Sequence, residues 1–343
     1  MSNLSTTNSS LTTERSRLEA KTLIELLDEF LATKKSSQTK KAYLQDITQF
    51  FKNIKVYTVQ DLIHVPLYEL SRVVLLYTES FKKADDYHKD RIANPRTVNR
   101  KAYALSSFFE FLVATYGYPR NPVKVFIPYS TPQKTSTHDL AQQELEAIRT
   151  FVREKFTTAE SQKAQIFALQ QLLIVGCMML SMRRNEVAHL RRKDLDRWQN
   201  VLTVFGKGQK LKYLPLPQSL ITYLHQFQDL KLSLWYTSDY IFSPLKNPST
   251  GDLAKPITGS YLFQLIKKIS KQLQLEGKID PDKQITPHSF RTTFVKLALE
   301  RKQTDIEIMN ATGHSTSSMV KYYDSRSAIE ANAAHAMDEF FEE

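Results

Sequence analysis

Residues 201–217 read VLTVFGKGQKLKYLPLP, and this stretch decides which fold class the chain can adopt. Two short β-prone runs, 201–205 and 212–216, flank a turn-forming segment at 206–210. Glycines on both sides of Lys207 allow a tight reversal that presents this lysine at the tip of a hairpin. Elsewhere the apolar residues recur at helical spacing, so the sequence predicts a mostly α protein with a small β-sheet.

The overall charge indicates the kind of partner. The 343 residues include 47 Lys+Arg and 36 Asp+Glu, a formal net charge of +11, which favours a polyanion such as nucleic acid or an anionic membrane surface. The longest apolar run, residues 172–182, is too short to cross a bilayer, and the N-terminus has no apolar core typical of a signal peptide. We therefore expect a cytoplasmic protein that does not associate with membranes.

Residues that could hold a cofactor are scarce. Cys177 is the only cysteine, so no intrachain disulfide and no cysteine-based zinc site is expected. The chain has 8 glycines, and they do not form a glycine-rich phosphate-binding loop. The sequence predicts neither a cofactor nor a metal.

Changes in composition divide the chain into five parts. Residues 1–18 are polar and are interpreted as a flexible tail, and residues 128–138 (PYSTPQKTSTH) as an interdomain linker. Between them, residues 19–127 predict a helical domain, and residues 139–326 predict an α-rich domain that carries the hairpin. Residues 327–343 predict a separate amphipathic helix. The four helices of the first domain are marked by apolar residues at helical spacing: Leu23, Leu27, Phe30 and Leu31; Tyr43, Ile47, Phe50 and Ile54; Leu70, Val74, Tyr77 and Phe81; Val98, Ala102, Leu105, Phe109 and Leu112.

Four local patterns carry residues suited to chemistry at a phosphate. In chain order they are Arg183-x-x-Glu186, Lys207 between two glycines, His288-x-x-Arg291, and Gly313-His314 followed nine residues later by Tyr323. Each alone has an ordinary structural explanation: a basic surface turn, a solvated lysine, the polar edge of a helix start, or a packing tyrosine. Pro287 suits the first position of a helix, whose exposed edge we expect to present His288 and Arg291.

Together and in this order, the four patterns strongly resemble the tyrosine recombinase (phage integrase) family. The segment at 206–217 is similar to the family's strand–turn–strand piece, and residues 94–122 are similar to the last helix of the core-binding domain in Xer-type recombinases. The resemblance covers roughly residues 20–326. It implies an N-terminal four-helix, SAM-like core-binding domain and an α-rich catalytic domain with a small β-sheet, which form a C-shaped clamp around DNA.

The resemblance also implies a catalytic set at one scissile phosphate: Arg183, Lys207, His288, Arg291, His314 and Tyr323. Tyr323 is the implied nucleophile, and it would form a 3′-phosphotyrosyl link that is rejoined without ATP or metal ions. Tyr322 competes for this role, but adjacent helical residues point about 100° apart and the family spacing selects Tyr323. Glu186 and Asp194 are expected to buttress the arginine helix.

Basic residues of the first domain and the C-terminal helix predict how the protein grips DNA and assembles. Candidate DNA-backbone contacts, expected to lie away from the apolar faces, are Lys40, Lys41, Arg96, Arg100 and Lys101; a merely solvated face is the alternative. By resemblance, helix 327–343 docks on a neighbouring subunit within a homotetramer on paired double-stranded sites, although it could instead fold back on its own domain. An accessory protein or a paralogous recombinase is a further partner.

The sequence therefore predicts a site-specific DNA recombinase that acts in integration, excision or dimer resolution. No further DNA-binding domain is expected before residue 20, which favours the two-domain Xer-like arrangement. A type IB topoisomerase-like enzyme and a non-catalytic DNA-binding protein on the same fold are the alternatives.

Overall fold

The structure is a computed structural model that describes residues 16–81, 94–131, 139–206, 211–236, 238–245 and 255–321. The chain divides into two units, one ending at Lys134 and the other beginning at Thr135. This division falls inside the predicted linker 128–138. Residues 132–138 lie outside the described ranges, so the linker itself stays a prediction.

The described part of the N-terminal unit is helical. Its helices are α1 (Leu23–Ala32), α2 (Ser37–Asn53), α3 (Val59–His64), α4 (Leu67–Ser80) and α5 (Pro95–Tyr116), and a 3₁₀ turn follows at Pro122–Val125. The four predicted amphipathic helices correspond to α1, α2, α4 and α5. The sequence patterns missed α3 because six residues are too few to show a helical period.

Local signals set the ends of the longest helix of this unit, α5. The side chain of Asn94 accepts a hydrogen bond from the Arg96 N–H at 2.9 Å, and Pro95 occupies the first helical position. At the other end Gly117 adopts a left-handed conformation with φ of 62°, which a glycine accommodates without a Cβ clash. The helix therefore begins and ends at residues that the sequence marks.

An aromatic cluster forms the core of the N-terminal unit. In this cluster the ring of Phe108 lies edge-on to the rings of Phe30 and Phe51, with centroid distances of 5.4 Å and 5.8 Å. Burying a side chain of this size contributes roughly 1.5–3 kcal/mol. Leu18 belongs to the same core at 3% exposure, and residues 16–19 are helical, so the predicted end of the flexible tail at residue 18 is too late.

The C-terminal unit combines helices with a small antiparallel sheet. Its helices are α6 (Gln142–Thr157), α7 (Gln162–Met179), α8 (Arg184–Ala188), α9 (Gln218–Ser233), α10 (Gly259–Leu275), α11 (Pro287–Glu300), α12 (Asp305–Thr312) and α13 (Ser317–Lys321). The strands, in sheet order, are β1 (Leu195–Asp196), β2 (Val201–Phe205) and β3 (Leu211–Pro215). None of the described helices is both long and apolar enough to cross a membrane.

The predicted hairpin is confirmed in its two strands. β2 and β3 pair antiparallel with Leu202 opposite Leu214 and Thr203 opposite Tyr213. Alternation along β3 turns Lys212 and Leu214 into the unit and leaves Tyr213 at the surface. The turn at 207–210 lies outside the described residues.

Helix α7 is the central helix of the C-terminal core and leads directly into the site. Its last turn ends in a paired arrangement in which the Ser181 N–H donates to the Met178 carbonyl at 3.0 Å and the Met182 N–H to the Cys177 carbonyl at 3.4 Å. Ser181 adopts φ of 65° at the position that glycine usually takes in this motif. The reversal brings Arg183, the next residue but one, to the start of α8.

Candidate active site

Arg183 is held at the N-terminus of α8 by Glu186. The backbone N–H of Arg183 donates to Glu186 Oε2 and its Nη1 donates to Glu186 Oε1, both at 2.8 Å. Its Nη2 lies 3.5 Å from the carbonyl oxygen of Gly313, which ends α12. The Arg183 side chain is 35% exposed and that of Glu186 is 4% exposed. The carboxylate therefore holds the arginine from the buried side and leaves its guanidinium accessible.

Arg291 is anchored differently, through a backbone carbonyl. It is the fifth residue of α11 with 3% of its surface exposed, and its Nη1 donates to the Ser181 carbonyl at 2.7 Å. The expectation that Arg291 lies on an exposed helix edge is wrong. Its helix packs against the end of α7, and this contact buries Arg291. The i, i+3 spacing places His288 and Arg291 on one face but does not determine whether that face is solvated.

His288 is half-buried in the first turn of α11, directly after Pro287. The predicted helix start is confirmed, although the Thr286 side chain makes no capping bond; instead Ser289 Oγ accepts a hydrogen bond from the Thr286 N–H at 3.1 Å. His288 and Arg291 both line one cavity.

His314 lies directly after the left-handed Gly313, whose φ is 68°. Only 7% of His314 is exposed, and its backbone N–H donates to Thr312 Oγ1 at 3.3 Å. Burial, together with the positive charges of Arg291 and Arg183, lowers the pKa of His314 to about 4. The imidazole is therefore neutral at physiological pH.

A cavity of about 320 Å³ brings Arg183, His288 and Arg291 together. It is lined by Met182, Arg183, Arg184, Phe263, Thr286, Pro287, His288 and Arg291. Two guanidiniums and an imidazole at one opening provide planar forked donors and positive charge, a combination suited to a phosphate group. Among the described residues there is no cluster of three or more His, Cys, Asp or Glu side chains placed to hold a metal ion.

Two members of the predicted catalytic set lie outside the described residues. They are Lys207, in the hairpin turn, and Tyr323. The competing Tyr322 and the predicted interaction helix at 327–343 also lie outside.

The sequence motifs do not include two residues that form part of this site. Ser181 supplies the carbonyl that anchors Arg291, and Lys212 forms a buried ion pair of 2.9 Å with Glu186. Strand alternation could have placed Lys212 on the inward face with Leu214, but it could not have named its partner. Asp194, expected to buttress α8, accepts a hydrogen bond from the Arg191 N–H at 2.8 Å in the 3₁₀ turn after that helix.

The predicted DNA contacts of the N-terminal unit differ in exposure and in their partners. Lys41 and Arg96 are exposed and Lys40 is half-buried. Arg100 is exposed but pairs with the buried Asp46.

Lys101 forms an exception. It has 8% exposure, its Nζ lies 3.3 Å from Asp46 Oδ1 and it lies over the Phe81 ring. The expectation that Lys101 lies away from the apolar faces is wrong, because its position on α5 turns it toward the buried carboxylate.

The sequence profile of the phage integrase family matches residues 138–328, more than half of the chain. The chain belongs to this family. It is 27% identical over 309 residues to the tyrosine recombinase XerC of Bacillus pumilus, covering 88% of this chain and 90% of that protein. As a tyrosine recombinase, it is an enzyme that cleaves and transfers DNA strands in site-specific recombination.

Solved structures of recombinases share this fold at low sequence identity. The Tn1549 transposon integrase, solved in complex with transposon right-end DNA, superposes with a TM-score of 0.63 at 14% identity, covering 94% of this chain and all of that chain. XerH bound to its difH substrate superposes with a TM-score of 0.56 at 18% identity, covering 88% and 79%. The mostly helical fold class with a small sheet is therefore confirmed for this phage integrase family member.

Proposed function

We propose that this recombinase cleaves DNA by attack of the Tyr323 hydroxyl on a phosphodiester bound at the cavity of Arg183 and Arg291. The observation that carries the proposal is the convergence of both guanidiniums with His288 on one opening. The segments that supply them are far apart in the chain. Packing of a surface for its own sake does not require two arginines and a histidine at one cavity.

The proposed chemistry balances without an external energy source. Tyr323 Oη forms a bond to phosphorus, the bond between phosphorus and the 5′ oxygen breaks, and a 3′-phosphotyrosyl link and a free 5′ hydroxyl result. Attack of a 5′ hydroxyl on the same phosphorus reverses the step and releases the tyrosine. Two guanidiniums stabilise the charge that develops on the non-bridging oxygens; removing one such donor typically costs about 3 kcal/mol.

Proton transfer is assigned to two further groups. A phenol has a pKa of roughly 10, so Tyr323 must lose its proton during attack, and His288 at the cavity wall is the acceptor. Lys207 donates a proton to the departing 5′ oxygen. His314, neutral because of its lowered pKa, holds the phosphate through an N–H without adding charge.

Covalent trapping tests the nucleophile. Wild-type protein is incubated with nicked genomic fragments, from which the short 5′-hydroxyl product diffuses away, and the protein–DNA adducts are isolated under denaturing conditions. We expect adducts from the wild type and from Tyr322→Phe, and none from Tyr323→Phe, which still binds DNA. Adducts that persist in Tyr323→Phe and vanish in Tyr322→Phe would assign the nucleophile to the neighbouring tyrosine.

We further propose that Lys40, Lys41, Arg96 and Arg100 contact the DNA backbone and that the enzyme acts as a homotetramer on two duplexes. A groove of about 780 Å³ in the C-terminal unit supports the assembly. Its apolar lining comes from α6, α7, α9 and α11, and its charged residues are Arg149, Arg153, Arg301, Glu146 and Glu300.

The proposed occupant of this groove is segment 327–343 of a neighbouring subunit. This segment contains five acidic residues and no lysine or arginine, and it carries Ile329, Ala333, Ala336 and Phe340 at helical spacing. An apolar helix face fits the lining, and the acidic residues complement the arginines. Since Glu146 already pairs with Arg149, the complementarity rests mainly on Arg153 and Arg301.

Separate measurements of synapsis and cleavage test the assembly. Deletion of residues 328–343, or Arg153→Glu, should reduce the two-duplex complex seen by mass photometry more than single-site cleavage. Arg197→Glu, an equal charge reversal elsewhere on the same unit, is the control and should leave both unchanged. Equal loss of synapsis and cleavage after the deletion would contradict docking on a neighbour.

The alternative functions give different results in the same experiments. A type IB topoisomerase-like enzyme would relax supercoils as a monomer without sequence preference, and a non-catalytic DNA-binding protein would form no adducts. We propose that the enzyme acts in the cytoplasm. Accessory or paralogous partners would appear as factors needed for recombination but not for adduct formation.

A further inference from the structure

Lys212 is a charged residue at a position where the strand pattern calls for an apolar one. It occupies the second position of β3 opposite Val204, with its side chain directed inward like that of Leu214. Only 4% of the side chain is exposed. Burying an ammonium group costs free energy unless the group is paired, so Lys212 requires a specific partner at this position.

That partner is the carboxylate that also holds Arg183. Glu186 Oε2 lies 2.9 Å from Lys212 Nζ and also accepts the Arg183 backbone N–H, while Oε1 accepts Arg183 Nη1. Burial would raise the pKa of Glu186, but the positive charge of Lys212 and the hydrogen bonds from Arg183 lower it, so the carboxylate is ionised. One negative charge is thus shared between two cations.

The lysine stem also reaches the turn that precedes His314. A Cβ added to Gly313 would lie 3.7 Å from Lys212 Cδ and 3.7 Å from Arg183 Nη1. Lys212 therefore packs beneath the same turn whose carbonyl oxygen faces Arg183 Nη2. Its own ammonium, buried and directed to Glu186, does not line the cavity and is not a proton donor for the leaving oxygen.

Sharing the carboxylate has an electrostatic consequence at the cavity. Arg183, Arg291 and Lys212 supply three positive charges, and Glu186 supplies one negative charge. If Lys212 were neutral, Arg183 would be the only cation paired with Glu186. The carboxylate would then offset more of the positive charge of this guanidinium and reduce its attraction for a phosphate. The ion pair with Lys212 also restricts the orientation of the Glu186 carboxylate, and this orientation fixes the direction of the Arg183 side chain.

We propose that Lys212 is a positioning residue that neutralises part of the negative charge of Glu186. It thereby keeps the Arg183 guanidinium directed at the scissile phosphate and preserves the attraction between the two. This inference rests on the proposed function of the cavity. It concerns a residue of β3 that touches neither the phosphate nor the nucleophile.

A double-mutant cycle on single-turnover cleavage tests the proposal, with the nicked duplex recovered by covalent trapping as substrate. Lys212→Met should slow cleavage by about 10- to 100-fold because a misplaced binding group costs that much. Lys212→Arg keeps the charge and should recover most of this loss. In a Glu186→Gln background, where there is no charge to divide, Lys212→Met should change the rate by less than about threefold.

A second buried lysine separates positioning from structural damage. Lys231, with 6% exposure, hydrogen-bonds the carbonyls of Tyr240 and Ile241 away from the cavity. Lys231→Met should lower the melting temperature without changing the cleavage rate of the folded protein.

Three results would overturn the proposal. These are wild-type cleavage by Lys212→Met, no recovery in Lys212→Arg, and a further tenfold loss in the Glu186→Gln background. Comparing the cleavage rate of the double variant with that of Glu186→Gln tests the proposal even if Lys212→Met alone does not fold, because the double variant removes both buried charges. Because wild-type adduct formation is measured separately, failure of this inference is distinguishable from failure of the nucleophile assignment.

Discussion

The guanidinium of Arg291 donates a 2.7 Å hydrogen bond to the carbonyl of Ser181, and both residues are almost fully buried. The carbonyl points at the arginine because Ser181 takes the left-handed conformation that ends α7. The turn that ends α7 thus anchors a cation that lies near the start of α11. Disturbing the turn should disturb the phosphate site.

We predict that Ser181→Val destabilises the protein and slows cleavage. Ser181 already has a φ of 65°, but a β-branched residue is still less compatible with this conformation, and its extra volume has no space in a fully buried position. Ser181→Gly keeps the conformation and the carbonyl, so its cleavage should stay within about threefold of the wild type. Urea unfolding and single-turnover cleavage measure the two effects.

The control is Lys302→Val, because Lys302 is exposed and has φ of 58°. It should show the backbone cost without loss of cleavage by the folded protein. Equal cleavage by the valine and glycine variants at position 181 would show that the turn does not control Arg291.

The buried His314 should make stability depend on pH. Its pKa is lowered from 6.5 in the unfolded chain to about 4 by burial and by the charges of Arg291 and Arg183, so the unfolded state binds more protons between these values. The free energy of unfolding should therefore fall as pH drops from 6.5 toward 4, by about 3 kcal/mol at most from this group. His314→Asn should flatten that part of the profile.

Urea unfolding at half-unit steps between pH 4.5 and 7.5 measures this dependence. His225→Asn, a change at an exposed histidine on α9, serves as the matched control and should retain the wild-type slope. An unchanged slope in His314→Asn would mean that other groups cause the acid sensitivity.

Two glycines with the same conformation separate strain from function. Gly313 and Gly277 both have φ of 68°, and a Cβ on either would meet only ordinary contacts or open space. Replacement of each by alanine should cost a similar amount, roughly 1–2 kcal/mol, in unfolding free energy. Only Gly313→Ala should slow cleavage, because its carbonyl oxygen faces Arg183. Thermal melts and cleavage assays give the comparison, and a matching loss of cleavage in Gly277→Ala would contradict it.

Lysines of the N-terminal unit should divide into DNA contacts and internal partners. Lys41→Ala should weaken DNA binding and lower the slope of log affinity against log salt by about one, with stability unchanged. Lys101→Met should leave that slope unchanged, because its ammonium is directed to Asp46. Asp46→Ala should cost about 3–5 kcal/mol by leaving Lys101 buried without its counterion.

Fluorescence anisotropy over a salt series and urea unfolding distinguish these outcomes. Lys40, half-buried one position before Lys41, is less well placed for solvent-side contact, so Lys40→Ala should change the slope less. A drop in the salt slope for Lys101→Met equal to that for Lys41→Ala would return Lys101 to the DNA-binding set.

The sequence by itself determined the hairpin strands, the start of α11 at Pro287 and the four amphipathic helices α1, α2, α4 and α5. These features depend on interactions within a few residues, such as strand alternation, helical periodicity and the fixed φ of proline, and such interactions are written in local patterns. The order of the site motifs was sufficient for the family resemblance, because the spacing of motifs along the chain is a one-dimensional property.

Tertiary structure alone decided the burial of Arg291, the use of the Ser181 carbonyl and the sharing of Glu186 between Arg183 and Lys212. Each of these brings together segments that are separated by more than twenty residues. Helical or strand periodicity says which residues share a face, but which partner covers that face depends on how whole elements pack. Charged residues show this most clearly, since Lys41 and Lys101 have the same side chain, and contacts with Asp46, Gln49 and Phe81 make Lys101 internal.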